Sequence, residues 1–249
     1  MSPATVRYLH AVLHGALSQA VEWRIIADNP ADRVRLPAKT SPEMAALTPE
    51  QARVFLEAIR GHGMEALFTL AIATGMRQGE LLGLRWADLE ADRLHVRHTL
   101  VRMTGRWWLG DPKTQQSLRT IELTAPTVDS LRAHRVRQAR ALLAIRHRLT
   151  DDDLMFTDAS GAPLHGRHVT QRHLAPLLRA AGLPAIRFHD LRHTYATLQL
   201  AAGTSPKLVA EVLGHKDVDM TLNRYSHSLP TMHREAAERL DAILGRGAG

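Results

Sequence analysis

Cysteine is absent from the 249 residues of this chain. That absence excludes disulfides, thiol nucleophiles, iron–sulfur clusters and thiolate zinc sites, so only His, Asp and Glu remain as metal ligands. The sequence also has no run of about 18 apolar residues, and its N-terminus has no basic stretch followed by an apolar one. We therefore expect a cytoplasmic protein with neither a membrane span nor a secretory signal.

Positive charge is what the composition has in excess. Lys and Arg number 32 against 25 Asp and Glu, which gives a net charge of +7. Such an excess predicts a polyanionic partner. Residues 131–150 contain six arginines, two histidines and no acid. This segment is either a solvated helix face or a surface that lies against phosphates.

The chain divides into a short first part and a larger second part. Residues 4–26 carry apolar residues at three- and four-residue intervals, which predicts one amphipathic helix that ends near Asn29-Pro30. Residues 36–47 contain two prolines and no helical period, which predicts a linker. Thr48 then predicts a helix N-cap, because proline follows it directly and a glutamine three residues on can close a capping box.

The second part predicts a mainly α fold with a small antiparallel β-sheet, which is the α+β class. The predicted helices span residues 52–59, 64–74, 126–149, 168–181, 190–202, 206–213 and 230–244. The predicted sheet has three strands, within residues 94–100, 106–109 and 119–123, joined by turns near 103–105 and 110–116. Arg119, Ile121 and Leu123 share one face of the third strand. Gly75 is placed to end the second helix, and Pro176 predicts a kink or break.

Arg77 lies at a predicted junction between two helices, shortly after Gly75. A guanidinium held at such a junction is suited to bidentate binding of a phosphate. Alternatively, Arg77 caps helix carbonyls or pairs with Glu80. The residues alone leave both interpretations open.

His189, Arg192 and His193 are spaced to share one face of a helix, within reach of a common ligand. The segment His-Asp-Leu-Arg-His also differs by one methylene from the zinc motif His-Glu-x-x-His, which makes a zinc hydrolase a rival hypothesis. An arginine inside the segment and the short side chain of Asp190 argue against zinc. For His193, a structural interpretation with its ring bonded to a backbone carbonyl also stays open.

His215 and Tyr225 follow the predicted helix 206–213. Tyrosine is a poor nucleophile at neutral pH unless cations stabilise its phenolate or a base takes its proton. The alternative for Tyr225 is a half-buried packing residue. Taken with the arginines, and without an evident carboxylate cluster for magnesium, these residues predict phosphoryl transfer that needs no metal.

Five segments resemble, in order and spacing, the conserved boxes of the tyrosine recombinase (phage integrase) family. They are TGMRQGELLGL at residues 74–84, DPKTQQSLRTI at 111–121, FHDLRHTYAT at 188–197, LGHKDVDM at 213–220 and NRYSH at 223–227. The resemblance implies that the catalytic residues are Arg77, Lys113, His189, Arg192, His215 and Tyr225.

The resemblance gives each residue a role in one cleavage step. Tyr225 is the nucleophile and leaves a 3′-phosphotyrosine, while Lys113 protonates the departing 5′ oxygen. Arg77 and Arg192 clamp the scissile phosphate. The histidines at positions 189 and 215 contribute proton transfer and a hydrogen bond to the phosphate. Glu80 matches the acidic residue of the first box and is expected to support the site rather than to react.

The family resemblance also implies the setting of the reaction. The partner is double-stranded DNA, the assembly is a homotetramer on two duplexes, no cofactor or ATP is required, and accessory directionality or DNA-bending proteins are expected. Residues 1–36 resemble only the last helix of a core-binding domain. The implied fold is therefore a tyrosine recombinase catalytic domain at 48–249, preceded by a linker at 37–47 and a partial helical core-binding domain.

Three alternatives remain beside a site-specific recombinase. A truncated, non-catalytic DNA-binding remnant would bind duplexes in a salt-dependent way without cleaving them. A type IB topoisomerase would share the nucleophile and the arginines, and the zinc hydrolase is the third. The helix 230–244 is either exchanged between neighbouring subunits or packed on its own domain.

Overall fold

The computed structural model describes residues 1–38, 45–110 and 118–214. Its contacts divide the chain into two compact units, Met1–Met44 and Ala45–Gly249, and each is considered by itself below. Within the described ranges, no helix has both the length and the apolar character needed to cross a bilayer.

The first unit consists of a long helix and a short 3₁₀ turn. Helix α1 spans Pro3–Glu22, and its N-cap Ser2 accepts a hydrogen bond from Thr5 N. The predicted helix 4–26 is too long by several residues, because Arg24 takes a left-handed conformation with φ of 58° and turns the chain. The 3₁₀ turn Pro30–Arg33 begins at Asn29, whose side chain accepts a hydrogen bond from Ala31 N at 2.9 Å.

The second unit is mainly helical, and within the described residues it contains eight α-helices and a 3₁₀ helix at Trp86–Asp88. The α-helices are α2 (Pro49–Ala58), α3 (Glu65–Thr74), α4 (Gln78–Leu82), α5 (Ala125–Ala144), α6 (Gly166–His168), α7 (Ala175–Ala180), α8 (Phe188–Ala201) and α9 (Pro206–Leu213). A π-helical turn, Val169–Leu174, connects α6 with α7. The prediction of a mainly α fold with a small antiparallel sheet is confirmed.

The strands form two small sheets rather than one. They are β1 (Leu89–Glu90), β2 (Arg93–Val96), β3 (Thr99–Met103), β4 (Arg106–Gly110) and β5 (Arg119–Glu122). The first sheet has the order β1-β2-β5, and β3 pairs with β4 in a separate hairpin; both are antiparallel. The single predicted strand 94–100 is therefore wrong. The alternation of polar and apolar residues indicates which side chains share a face of a strand, but it does not indicate where the chain changes its pairing partner.

Helix boundaries follow the local signals in the sequence. Thr48 caps α2 in a full capping box, with Gln51 N donating to Thr48 Oγ1 at 3.2 Å and Thr48 N donating to Gln51 Oε1 at 3.0 Å. Gly75 ends α3 in a left-handed conformation, as predicted. The predicted break at Pro176 takes the form of the π-helical turn, because proline lacks the N–H that continues an α-helical ladder.

Helix α3 is the centre of the second unit. Leu67, Phe68 and Leu70 are completely buried, and the helix packs against α5 on one side and α8 on the other. A helix that is apolar on nearly every face is expected in the interior. Its carboxyl end at Gly75 therefore lies inside the unit, where α4, α8 and α9 meet. The predicted helix 230–244 and most of the predicted turn 110–116 lie outside the described residues.

Candidate active site

Arg77 is the N-cap of α4 and lies two residues after Gly75, the C-cap of α3. Its backbone N–H donates to Glu80 Oε2 at 3.0 Å, and its Nη1 donates to Glu80 Oε1 at 2.8 Å. The carboxylate of Glu80 is almost completely buried, whereas 42% of the Arg77 side chain is exposed. Glu80 therefore fixes the guanidinium of Arg77 while leaving much of it accessible.

Arg192 lies on α8 and is 3% exposed. Its Nη1 donates to the carbonyl oxygen of Gly75 at 2.9 Å, and its Nη2 donates to that of Leu213 at 2.7 Å. The side chain thus joins the carboxyl ends of two helices, α3 and α9. A buried arginine is stable in such a place because backbone carbonyls accept hydrogen bonds from its guanidinium and the negative ends of helix dipoles face its charge.

The end of α9 brings the arginines together. Three consecutive carbonyl oxygens there each accept a hydrogen bond from a different arginine. The pairs are Arg119 with Val212, Arg192 with Leu213 and Arg77 with Gly214, at N···O distances of 2.6, 2.7 and 3.2 Å. The last carbonyls of a helix have no intrahelical donor, so these contacts satisfy groups that need partners. The predicted phosphate-binding residues Arg77 and Arg192 are therefore neighbours.

Glu80 is the electrostatic counterpart of these cations. Burial would raise the pKa of its carboxyl, but the hydrogen bonds and charge of Arg119 together with the hydrogen bonds of Arg77 outweigh burial and lower it. Arg119 Nη2 reaches Glu80 Oε2 at 2.9 Å, and both side chains are less than a tenth exposed. The carboxylate therefore stays ionised and holds two arginines at once.

His189 lies on α8 one turn before Arg192, as predicted, and it is exposed. Its ring lies 4.9 Å from that of the buried His193, in a perpendicular arrangement. Asp190 between them is held by Arg187, whose Nη2 and Nε donate to its two oxygens at 2.8 and 3.0 Å. Burial would raise the pKa of Asp190, but the hydrogen bonds and charge of Arg187 outweigh it and lower that pKa. Among the described residues, no three His, Asp or Glu side chains are grouped to hold a metal.

Three of the six predicted catalytic residues are not described. Lys113, His215 and Tyr225 lie outside the described ranges. Of the chain's three tyrosines, Tyr8 and Tyr195 are described. Burial raises the pKa of Tyr195, against a smaller opposite effect of the Arg119 charge, so its phenol is a poor nucleophile.

Sequence reasoning missed Arg119. The sequence predicts a strand position for Arg119 in phase with Ile121, which is buried in the structure, and indicates no function for it. An arginine on the apolar face of a strand must find partners inside the protein. The position of Arg119 on the apolar face of the strand is therefore the signal in the sequence for a buried arginine. Its partners Glu80 and Val212 are distant from it in the chain, so the sequence does not identify them.

A basic and aromatic surface lies beside Arg77. We call it the hairpin patch, and it consists of Arg102, Trp107, His165, Arg167, His168 and Arg172. The guanidinium of Arg102 lies 5.5 Å from the Trp107 ring centre, and the rings of His165 and His168 stack at 4.9 Å. Partial desolvation lowers the pKa of His168, and the charges of its basic neighbours lower it further. Gln78, which follows Arg77, donates to Gly166 O at 3.0 Å and so ties the patch to the site.

Comparisons with known proteins give the family of this chain. Residues 45–232 match the model of the phage integrase family, which is three quarters of the chain. A XerC-like tyrosine recombinase from Caldanaerobacter subterraneus is 31% identical over 98% of this chain and 67% of its own length. An integrase of Mycobacterium phage FRAT1 is 29% identical over 98% of this chain and 71% of its own length. The chain belongs to the phage integrase family.

Solved structures show the same relationship. The Tn1549 transposon integrase in complex with transposon right end DNA matches with a TM-score of 0.80 and 25% identity, over 96% of this chain and 80% of that chain. A lambda integrase dimer bound to a core site shares the fold, with a TM-score of 0.61 and 21% identity over 90% of this chain and 59% of that chain. The family resemblance predicted from the five boxes is confirmed.

Proposed function

We propose that this chain is a site-specific recombinase that breaks and rejoins double-stranded DNA through a 3′-phosphotyrosyl intermediate. The observation that carries the proposal is the convergence of Arg77 and Arg192 on the end of α9. In the sequence, that end leads directly into the segment with His215 and Tyr225. Residues 48–249 are the proposed catalytic domain, and residues 1–36 belong to a core-binding domain.

The proposed cleavage is a transesterification at one phosphate. Tyr225 gives up its phenol proton to His189 as its Oη attacks the phosphorus. The bond to the 5′ oxygen breaks, and Lys113 supplies the proton that this oxygen takes up. Arg77 and Arg192 neutralise the non-bridging oxygens, His215 hydrogen-bonds them, and the histidine at position 189 assists proton transfer. One phosphodiester replaces another, so a 5′ hydroxyl reverses the step without ATP. In this proposal no metal takes part.

Double-stranded DNA is the proposed partner. The net charge of +7 and the arginines of the hairpin patch suit a phosphate backbone. We also propose a homotetramer on two duplexes, with accessory directionality or DNA-bending proteins, acting in the cytoplasm of a bacterium that carries the mobile element. Light scattering with and without DNA tests the assembly.

The cleavage is tested with nicked suicide duplexes, in which the freed strand diffuses away and traps the covalent intermediate. The five sequence motifs do not specify the DNA target. The duplexes therefore carry randomised core sequences. We expect the wild-type chain to form an adduct that survives denaturation by detergent and is removed by protease. Sequencing of the trapped DNA gives the target site.

Tyr225→Phe is the matched variant for this test. It removes one oxygen, so the adduct should disappear while duplex binding persists, since phosphate contacts come mainly from Lys and Arg. Tyr8→Phe is the control for loss of a phenol elsewhere and should leave the adduct unchanged. A wild-type chain that binds the duplexes and forms no adduct at any salt concentration contradicts the proposal and favours a DNA-binding remnant.

A further inference from the structure

Arg119 is a buried cation outside the set of six predicted catalytic residues. It lies at the start of β5, and its side chain is 7% exposed. Its Nε donates to Val212 O at 2.6 Å, and its Nη2 donates to Glu80 Oε2 at 2.9 Å. A charge at this depth is stable only when its partners are close and well oriented. The side chain and backbone groups around Arg119 must therefore be held in fixed positions.

The first link runs from Arg119 through Glu80 to Arg77. Glu80 Oε2 accepts from both Arg119 Nη2 and the backbone N–H of Arg77, while Oε1 accepts from Arg77 Nη1. Arg119 therefore sets the orientation of the carboxylate that orients Arg77. Without Arg119, a buried carboxylate keeps one cationic partner instead of two, and its plane is free to turn.

The second link runs from Arg119 to the end of α9. Val212 O, which Arg119 holds, lies two residues before the left-handed cap Gly214. Gly214 O in turn accepts from Arg77. In the sequence, Gly214 is followed directly by His215, and Tyr225 comes ten residues later. Arg119 thus contacts both the Glu80 carboxylate, which orients Arg77, and the end of α9. In the sequence, the segment that contains Tyr225 follows that end.

We propose that Arg119 is a positioning residue for DNA cleavage, which aligns Arg77 through Glu80 and anchors the end of α9 relative to that arginine. This inference rests on the proposed function. Arg119 acts through Glu80 and the α9 carbonyl and does not itself clamp the phosphate. Because small misplacements of reacting groups cost on the order of 100-fold in rate, loss of Arg119 should act on the chemical step more than on DNA binding.

The test uses the full chain and the nicked duplex selected with the wild type. Arg119→Met should lower the single-turnover rate of adduct formation by about 10- to 100-fold, with DNA affinity within about two-fold of the wild type. Arg119→Lys retains the charge but not the fork, so it should recover part of the rate. Arg93→Met is the matched control, because Arg93 is an exposed arginine on the same sheet, and it should react like the wild type.

Two further measurements separate positioning from direct contact and from general damage. A substrate with a neutral methylphosphonate at the scissile position should restore part of the rate of Arg77→Ala, which lacks a phosphate-clamping charge, but not that of Arg119→Met. In a double-mutant cycle, the rate losses of Arg119→Met and Glu80→Gln should be strongly non-additive, because one residue acts through the other.

The outcomes are distinguishable. Absence of a wild-type adduct contradicts the proposed function itself. A wild-type adduct together with a normal rate for Arg119→Met overturns the inference, as does rescue of that variant by the methylphosphonate, which would make Arg119 a phosphate ligand. If Arg119→Met does not unfold cooperatively on heating, Arg119→Lys decides, and equal rates for Arg119→Lys and the wild type overturn the positioning role.

Discussion

At the scale of single residues, the site shows that two interpretations of Arg77 are compatible. The sequence left open whether this arginine binds phosphate or merely caps carbonyls and pairs with Glu80. In the structure it does pair with Glu80 and donates to Gly214 O, yet 42% of its side chain stays exposed. The contacts with Glu80 and Gly214 O hold the Arg77 guanidinium in a fixed orientation, and the proposed chemistry uses that guanidinium to bind phosphate. The same side chain therefore has a structural and a functional role.

Glu80 gives a prediction about pH at this scale. Its pKa is lowered from 4.5, so its ionised form stabilises the folded chain fully above that value, and this contribution is lost as the pH falls below 4.5 through the folded-state pKa. Glu80→Gln should therefore be clearly less stable than the wild type at neutral pH, and the difference should shrink in acid. Urea unfolding midpoints over this pH range measure it.

The control for this measurement is Glu122→Gln, which changes an exposed carboxylate on β5. That variant should differ little from the wild type at neutral pH, because exposed carboxylates contribute little to stability. If the stability difference between wild type and Glu80→Gln does not shrink in acid, the Glu80 carboxylate is not stabilised by its arginines as the structure indicates.

At the scale of secondary-structure elements, the sequence predicted what local chemistry determines. The capping box of Thr48, the end of α3 at Gly75 and the start of α9 at Pro206 each depend on neighbours within four residues, and each is found. The splitting of strand 94–100 and the partners of Arg119 depend on residues distant in the chain. A single sequence does not show which distant residues pair with one another. The split of strand 94–100 and the partners of Arg119 therefore could not be predicted from it.

Gly75 supports a prediction about the junction of α3 and α4. Its φ is +60°, and an added Cβ would lie 2.6 Å from Leu213 Cδ2 and 2.7 Å from Tyr195 Cδ1. Gly75→Ala therefore combines backbone strain of about 1–2 kcal/mol with overpacking of about 1–3 kcal/mol. Gly61→Ala is the matched control, since Gly61 has φ of +73° and an added Cβ there meets nothing within 4 Å.

We expect thermal unfolding to separate the two glycine variants. Gly61→Ala should lose only the strain energy, whereas Gly75→Ala should lose more and should also slow adduct formation, because Leu213 O is a partner of Arg192. Equal losses of stability in both variants would show that the end of α3 is not packed closely against α8 and α9.

At the scale of the whole molecule, two surfaces of the second unit carry several exposed arginines each. The arginines of residues 131–150 are exposed, and two of them pair with acids: Arg132 with Asp129 at 3.3 Å, and Arg135 with Asp151. These contacts favour the interpretation of a solvated helix face. The hairpin patch instead adjoins Arg77 through the hydrogen bond of Gln78 to Gly166 O. The structure thus favours the hairpin patch as the surface that meets the phosphate backbone.

The salt dependence of DNA binding distinguishes these surfaces. Each arginine that neutralises a phosphate releases counterions, so its loss reduces the slope of log affinity against log salt by about 1. The triple variant Arg102→Ala, Arg167→Ala, Arg172→Ala should therefore bind more weakly and with a slope lower by about 3. The matched triple variant on α5, Arg132→Ala, Arg137→Ala, Arg140→Ala, removes the same charge and should leave the slope unchanged. Since net charge is identical in the two variants, a reduced slope in the α5 variant alone would place the duplex on α5 instead.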